Sequence, residues 1–269
     1  MLLYRPEADD LILEARVTTR HHARTFAAAC RLLPDSVRDD VYRLYLVFRI
    51  LDDLVDEGDP RAYSAVDAVE RWCRDGTVAT RETTVLADLA TRHALPREAL
   101  EDFCRGMRDD LATRPFRTEE ELDLYCFRVA GTVGLVMASV LGTRSPHAGR
   151  HAAALGMAMQ RTNILRDIDE DLAAGRLFLS EEVVERFGWP SPGRREALLR
   201  HQIARADELF EEGMAGIPML RRGRVAIRAA ACMYREILRQ IERDGYGAHP
   251  GRAVVPRSRK LLAVALPGH

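Results

Sequence analysis

Apolar residues recur at three- and four-residue spacing along almost the whole of this 269-residue chain, and strict one-in-two alternation is scarce. Such spacing lines up an apolar stripe on a helix and gives a sheet nothing to build on. The chain therefore reads as all-α. Helices are expected near 8–20, 22–32, 35–57, 61–74, 81–93, 96–112, 118–142, 147–173, 180–187 and 194–213, with a last long one near 221–244. Pro60, Pro96, Pro115, Pro146 and the stretch from Pro190 to Gly193 punctuate them. Asp35 and Thr118 suit helix N-caps, and Glu121 makes a capping box with Thr118. No linker or internal repeat stands out, so residues 1–269 are expected to form a single domain, with a basic, loop-like tail from about 246 carrying Arg252, Arg257, Arg259 and Lys260.

Net charge is −1 with 30% charged residues, which lacks the basic excess of a nucleic-acid binder. Cys30, Cys73, Cys104, Cys126 and Cys232 have no CxxC spacing and read as free thiols in a reducing compartment. The start, MLLYRPEADD, has no apolar signal-like core, and no run of about 18 apolar residues is evident. A cytoplasmic location is expected, with peripheral membrane association left open; oligomeric state is not readable. The histidines show no zinc spacing. Trp72 and Trp189 read as packing residues, and Met157 and Met159 as core filler.

Two acidic clusters carry the chemistry. The first runs from Asp52 to Glu57 and includes Asp53 and Asp56; the second runs from Asp167 to Asp171, after Gln160, Asn163 and Arg166. On a wheel of about 100° per residue, Tyr45, Arg49, Asp52, Asp53 and Asp56 share one face, opposite Val47, Ile50, Leu51, Leu54 and Val55. Gln160, Asn163, Asp167, Glu170 and Asp171 share a face of the second helix, while Asp169 projects away toward solvent. Carboxylates four residues apart lie roughly 6 Å apart. Two such faces turned together would hold hard divalent cations, and through them a diphosphate. Each cluster alone is equally consistent with a solvated helix face; it is the pair that favours the metal–diphosphate reading. Gly175 and Arg176 follow and can turn a basic group to the same mouth.

In these segments the chain resembles the squalene/phytoene synthase family. The matching pieces are His22–Phe26, Tyr45–Glu57, Tyr125–Gly134 (YCFRVAGTVG), Gln160–Asp171 (QRTNILRDIDED), Gly175-Arg176, Tyr234 and Arg252. The resemblance implies an isoprenoid synthase fold, one helical bundle around a central cavity. It implies Mg²⁺-dependent head-to-head condensation of two prenyl diphosphates, farnesyl or geranylgeranyl, through a cyclopropyl diphosphate to a squalene- or phytoene-type hydrocarbon. Three Mg²⁺ ions would sit on Asp52, Asp53, Asp56, Asn163, Asp167 and Asp171. Substrate would meet Arg24, Thr25, Phe26, Arg49, Val129, Gln160, Arg166 and Arg252. Tyr45, Arg49, Tyr125 and Tyr234 would be the catalytic cavity groups. NADPH would enter only for a squalene product.

The sequence departs from the family pattern in three places. Ala27-Ala28-Ala29 follows Phe26, the run Leu46–Leu51 leans toward the squalene-synthase form, and Ser180 stands where proline is common. They leave room for a terpene cyclase or for a prenyltransferase with another acceptor; a non-catalytic helical partner protein is a separate alternative, against which the intact aspartates of both motifs argue.

Overall fold

Side chains cap the starts of a few helices. Thr118 Oγ1 accepts from the Glu121 N–H, and Ser180 Oγ accepts from the Val183 N–H. The Glu121 carboxylate accepts from the Arg117 N–H rather than from the cap residue, so the expected box is displaced by one residue. Asp35 is the first residue of its helix rather than its cap; Pro34 precedes it with no side-chain bond. In this computed structural model, residues 6–22, 24–112 and 114–265 are described, with the side chains of 6–11, 22 and 24 outside that description. The helices are α1 (Pro6–His22), α2 (Arg24–Cys30), α3 (Asp35–Asp56), α4 (Ala62–Asp75), α5 (Arg81–Ala90), α6 (Arg97–Ala112), α7 (Glu119–Cys126), α8 (Thr132–Leu141), α9 (Ala148–Ala173), α10 (Glu181–Phe187), α11 (Glu196–Ala215), α12 (Arg224–Arg243) and α13 (Arg257–Ala265). Among the described residues there is no strand, only two isolated bridges. The fold is all-α, as the spacing required.

Two elements differ from expectation. The basic tail is not loop throughout: residues 257–265 form α13, and Val264 packs into a cluster of Ala29, Ala229, Ala230 and Met233. Residues 119–141 form one continuous helical stretch, long and apolar enough to cross a bilayer by length and composition, contrary to the expectation that no such run exists. It is half buried and packs between α6 and α9, as the core helix of a folded bundle does. Its middle, Phe127–Gly131, is a π turn. Such turns are rare and concentrate at functional sites; this one carries Val129 and Ala130.

One core gathers around α3, α4, α5, α6 and α8, with Leu44, Val66, Leu86 and Leu100 almost fully buried. A second gathers around α9, α11 and α12, with Ala158, Ala206, Phe210 and Leu238 at its centre. Between them α8 and α9 approach so closely that each uses glycine. A β-carbon at Gly134 would collide with the Ala152 carbonyl, and one at Gly156 with the Ala130 carbonyl. Gly156→Ala must push α9 away from the π turn that precedes α8, at a cost of about 3 kcal/mol. A urea denaturation midpoint unchanged from the parent protein would contradict that close approach.

A buried charge network fixes the far side of α9. The Arg161 guanidinium, 2% exposed, donates to Asp123 at 2.8 Å and to Gln202 at 2.8 Å, and lies 3.2 Å from Glu119. Ser180 donates to Glu119 at 2.7 Å. The Ser180 hydroxyl thus ties α10, and the segment leading to it from α9, to the start of α7.

Candidate active site

A cavity of about 410 Å³ lies between α2, α3, α8, α9 and α12. Along α9 it is lined by Ala148, Ala152, Leu155, Gly156, Met159, Gln160, Asn163 and Arg166. Those 18 residues of rise span roughly 27 Å. Small and apolar groups occupy the first half, facing Val133, Gly134, Met137 and Leu141 of α8. Polar groups occupy the second half: Tyr45, Arg49 and Asp52 from α3, Gln160, Asn163 and Arg166 from α9, Tyr234 from α12, and Arg252. Phe26 and Val129 line the wall, the Phe26 ring lying 5.3 Å from that of Tyr45. Met159, read as core filler, faces the cavity, whereas Met157 packs in the core.

The two acidic faces oppose each other at the polar end. Arg176, just past α9, places Nη1 3.3 Å from Asp56 Oδ1 on α3. Each carboxylate of the pair is met by a guanidinium. Arg49 lies 2.7 Å from Asp52 and also binds Asp53. Arg166 chelates Asp167 at 2.8 and 2.5 Å, and Arg252 reaches the same carboxylate at 2.9 Å. Among the described residues no three His, Cys, Asp or Glu side chains converge as a ready cation cage.

The charge there is only partly balanced. Withdrawal from water, then the neighbouring Asp56 charge, pushes the Asp52 carboxyl up to about 6. Asp171 is pushed to about 6 by burial and then by Asp167. Asn163 donates to Gln160 at 3.4 Å, while its Oδ1 is buried without a hydrogen-bond partner. A buried carbonyl oxygen without a donor is the environment a hard cation with oxygen ligands would complete.

Other expected site residues fall in several places. Thr25 Oγ1 accepts from Lys260 Nζ at 2.9 Å, beside Phe26 at the start of α2; the Arg24 side chain lies outside the described residues. Tyr125 is 5% exposed and is not part of the cavity lining. Its ring centroid lies 5.0 Å from Phe116 and 5.8 Å from Phe178. Asp169 does not project into solvent. Arg195, itself 2% exposed, grips it at 2.6 and 2.7 Å, and the Gly251 N–H donates to it at 2.8 Å. Asp169 therefore anchors the segment that delivers Arg252. Trp189 is 58% exposed and is no packing residue.

One acidic residue of the site escaped the sequence reading. Asp110, near the end of α6, accepts a hydrogen bond from the Tyr125 hydroxyl and feels the charges of Asp56 and Asp52. Burial pushes its carboxyl up to about 7, against the lowering effect of Tyr125. Burial and the Asp110 charge in turn raise Tyr125 well above the usual phenol range.

Comparison with known proteins places this geometry. A family model described as squalene/phytoene synthase matches residues 19–259. The 15-cis-phytoene synthase of Synechocystis sp. is 35% identical over 274 residues, covering 92% of this chain and 81% of that protein. A solved dehydrosqualene synthase with bound ligand superposes with a TM-score of 0.87 at 25% identity, covering 96% of this chain and 95% of the other. The squalene synthase HpnC from Alicyclobacillus acidocaldarius superposes with a TM-score of 0.78 at 26% identity, covering 91% and 98%.

Proposed function

The chain belongs to the squalene/phytoene synthase family, and from that premise we propose that it joins two molecules of geranylgeranyl diphosphate head to head into a phytoene-type hydrocarbon. It is a prenyl transferase, and the family's reaction is head-to-head prenyl transfer. Similarity to phytoene synthases at about this level over most of the chain favours the phytoene-type product, against the lean toward the squalene form read from Leu46–Leu51. The observation that carries the reading is a cavity with an apolar run along α8 and α9 and Asp52 and Asn163 in its polar end; Asp53, Asp56, Asp167 and Asp171 lie outside the lining itself, with Asp56 near enough to Asp52 and Asp171 for their charges to interact.

The side chains divide the work. Asp52, Asp53 and Asp56 on α3, with Asn163, Asp167 and Asp171 on α9, would hold Mg²⁺; the all-oxygen set and the unpartnered Asn163 oxygen fit that ion. Bound Mg²⁺ would neutralise the leaving diphosphate. Arg49, Arg166, Arg252 and Arg176 now lie against these carboxylates and would turn to phosphate oxygens, where the planar fork binds bidentately. Arg24, Thr25 and Gln160 would contact the second diphosphate. Phe26, Val129 and the small residues of α8 and α9 would hold the prenyl chains and exclude water from the allylic cation. Tyr45 and Tyr234 would offer ring faces to that cation. Tyr125, backed by Asp110, would orient the acidic rim from beneath.

As the first diphosphate departs, C1 of one chain would join the double bond of the other, and loss of a proton would close the ring to a cyclopropylcarbinyl diphosphate; loss of the second diphosphate, rearrangement and loss of a second proton would give the triene. No reductant enters that sequence. Purified protein with Mg²⁺ and geranylgeranyl diphosphate is expected to make a C40 hydrocarbon equally well with and without NADPH. A C15 or C20 cyclic product would sink the reading, and a C30 product dependent on NADPH would move it to squalene synthesis.

A further inference from the structure

Three stretches of the chain, 15–34, 213–235 and 245–269, contain no Asp or Glu and together carry thirteen Arg and Lys residues, of which Arg16, Arg235 and Arg252 pair with carboxylates elsewhere in the fold. The fold brings parts of all three into one layer. Lys260 Nζ donates to Thr25 Oγ1, and four residues on, Val264 packs with Ala29, Ala229, Ala230 and Met233. Both α2 and α13 pack on α12. The inner side of this layer is a wall of the cavity, through Phe26, Ile227, Ala230 and Tyr234.

Its outer side is unusual. Leu261 is 73% exposed and Leu262 55%, and α13 has no buried residue at all. Val254 before α13, Leu32 after α2 and Val225 at the start of α12 are exposed as well. Arg257 and Arg259 stand exposed among the leucines of α13. Arg257 and Leu261, four residues apart, share one helix face. Isolated exposed apolar residues are ordinary, but leucines interleaved with arginines on a helix that carries no acidic residue are the pattern of a helix that lies in a lipid interface.

We propose that the outer face of α2, α12 and α13 docks this protein on an anionic phospholipid bilayer, with α13 in the plane of the headgroups. Charge decides the occupant. A second copy meeting this face symmetrically would set arginines against arginines, since a two-fold contact pairs a patch with itself. An anionic bilayer supplies both partners at once: phosphates for Arg257 and Arg259, and acyl chains for Leu261 and Leu262. Docking there sets one cavity wall against the membrane, where a hydrocarbon product would find an apolar sink. That purpose rests on the prenyl-transfer reading; the docking itself does not, and is measured without substrate.

The test is co-sedimentation of the full chain, free of divalent cations and substrate, with vesicles of phosphatidylglycerol and phosphatidylcholine and with vesicles of phosphatidylcholine alone. The mixed vesicles should bind, and added salt should weaken binding. At about fivefold per basic residue, Arg257→Ala/Arg259→Ala should bind roughly 25-fold more weakly. Leu261→Ser/Leu262→Ser should bind at least about tenfold more weakly. Both variants should retain the parent's thermal midpoint and its turnover in detergent. Equal binding to both kinds of vesicle, no binding to either, or unchanged binding of the arginine variant would overturn the proposal. Self-association in solution that the leucine substitutions abolish would give the face to a second copy instead. Loss of vesicle binding with turnover intact would separate this face from the chemistry of the cavity.

Discussion

Asp52→Asn and Asp167→Asn are each expected to slow diphosphate release from geranylgeranyl diphosphate by at least about 10³-fold while far-UV circular dichroism stays unchanged. The size follows from what must be stabilised. The departing group is a concentrated polyanion leaving an allylic cation in a cavity whose other half is apolar, so charge that is not neutralised on the protein side stays in the barrier. One carboxylate stands on each wall, and each is already matched to a guanidinium: Asp52 to Arg49, Asp167 to Arg166 and Arg252. Losing either carboxylate does two things at once. It removes a charged oxygen that would hold a cation, and it frees an arginine to seize the diphosphate before a cation can. Asparagine keeps the shape and a hydrogen-bond acceptor, which limits damage to the fold. Asp169→Asn is the informative contrast, because Asp169 faces Arg195 and Gly251 rather than the cavity. Its effect should be smaller and should appear mainly in KM, through a looser Arg252. Near-parent rates for Asp52→Asn or Asp167→Asn would refute the assignment of the acidic walls.

Asp110→Asn is expected to stabilise the protein at pH 8, in metal-free buffer, by on the order of 2–4 kcal/mol, and to change it little at pH 4. The folded protein holds the Asp110 proton up to about 7, against the ordinary carboxylate value of 3.8. A raised folded-state value means that the stabilising contribution is complete below the unfolded value and is lost as pH climbs through 7. At pH 8 the parent carries a buried carboxylate close to the Asp52 and Asp56 charges. Asparagine is neutral throughout and still accepts from the Tyr125 hydroxyl. Thermal midpoints across this pH range read the effect directly. Stabilisation of equal size at pH 4 and pH 8, or destabilisation at pH 8, would contradict it. Because the residue stands beneath the acidic rim, the same variant should lose turnover despite its greater stability, the usual exchange at a strained functional site.

What could be read from the sequence was what is local in it. Helical spacing located every long helix, and the acidic faces of α3 and α9 are properties of single helices that a wheel displays. What escaped was tertiary. Asp110 sits beside Asp109, which pairs with Arg128; nothing in that stretch distinguishes the residue that turns inward, and only the packing of α6 brings it to Tyr125. Asp169 pointed away from the acidic face as the wheel required, but its partner Arg195 comes from another element and covers it. Helix α13 carries a basic, proline-led sequence that looked like a tail, and contacts with Thr25 and the alanine cluster hold it in place. The π turn at Phe127–Gly131 left no signal in residue spacing, though it carries two cavity residues. Tyr125 was placed by family resemblance, and its position beneath the rim, outside the cavity lining, came from the structure alone.

The central claim is that two C1 carbons, each leaving a diphosphate, are joined to one another in this cavity. Geranylgeranyl diphosphate labelled with ¹³C at C1, incubated with the protein and Mg²⁺, tests it in one spectrum. The account predicts a C40 product whose two labelled carbons, equivalent by symmetry, are bonded directly and give a second-order AA′XX′ pattern with the two olefinic protons they carry in the proton-coupled ¹³C spectrum. A labelled product in which each labelled carbon couples only to its own protons as an isolated site, whether a C20 cyclised hydrocarbon, a C20 alcohol or a head-to-tail dimer, would contradict it.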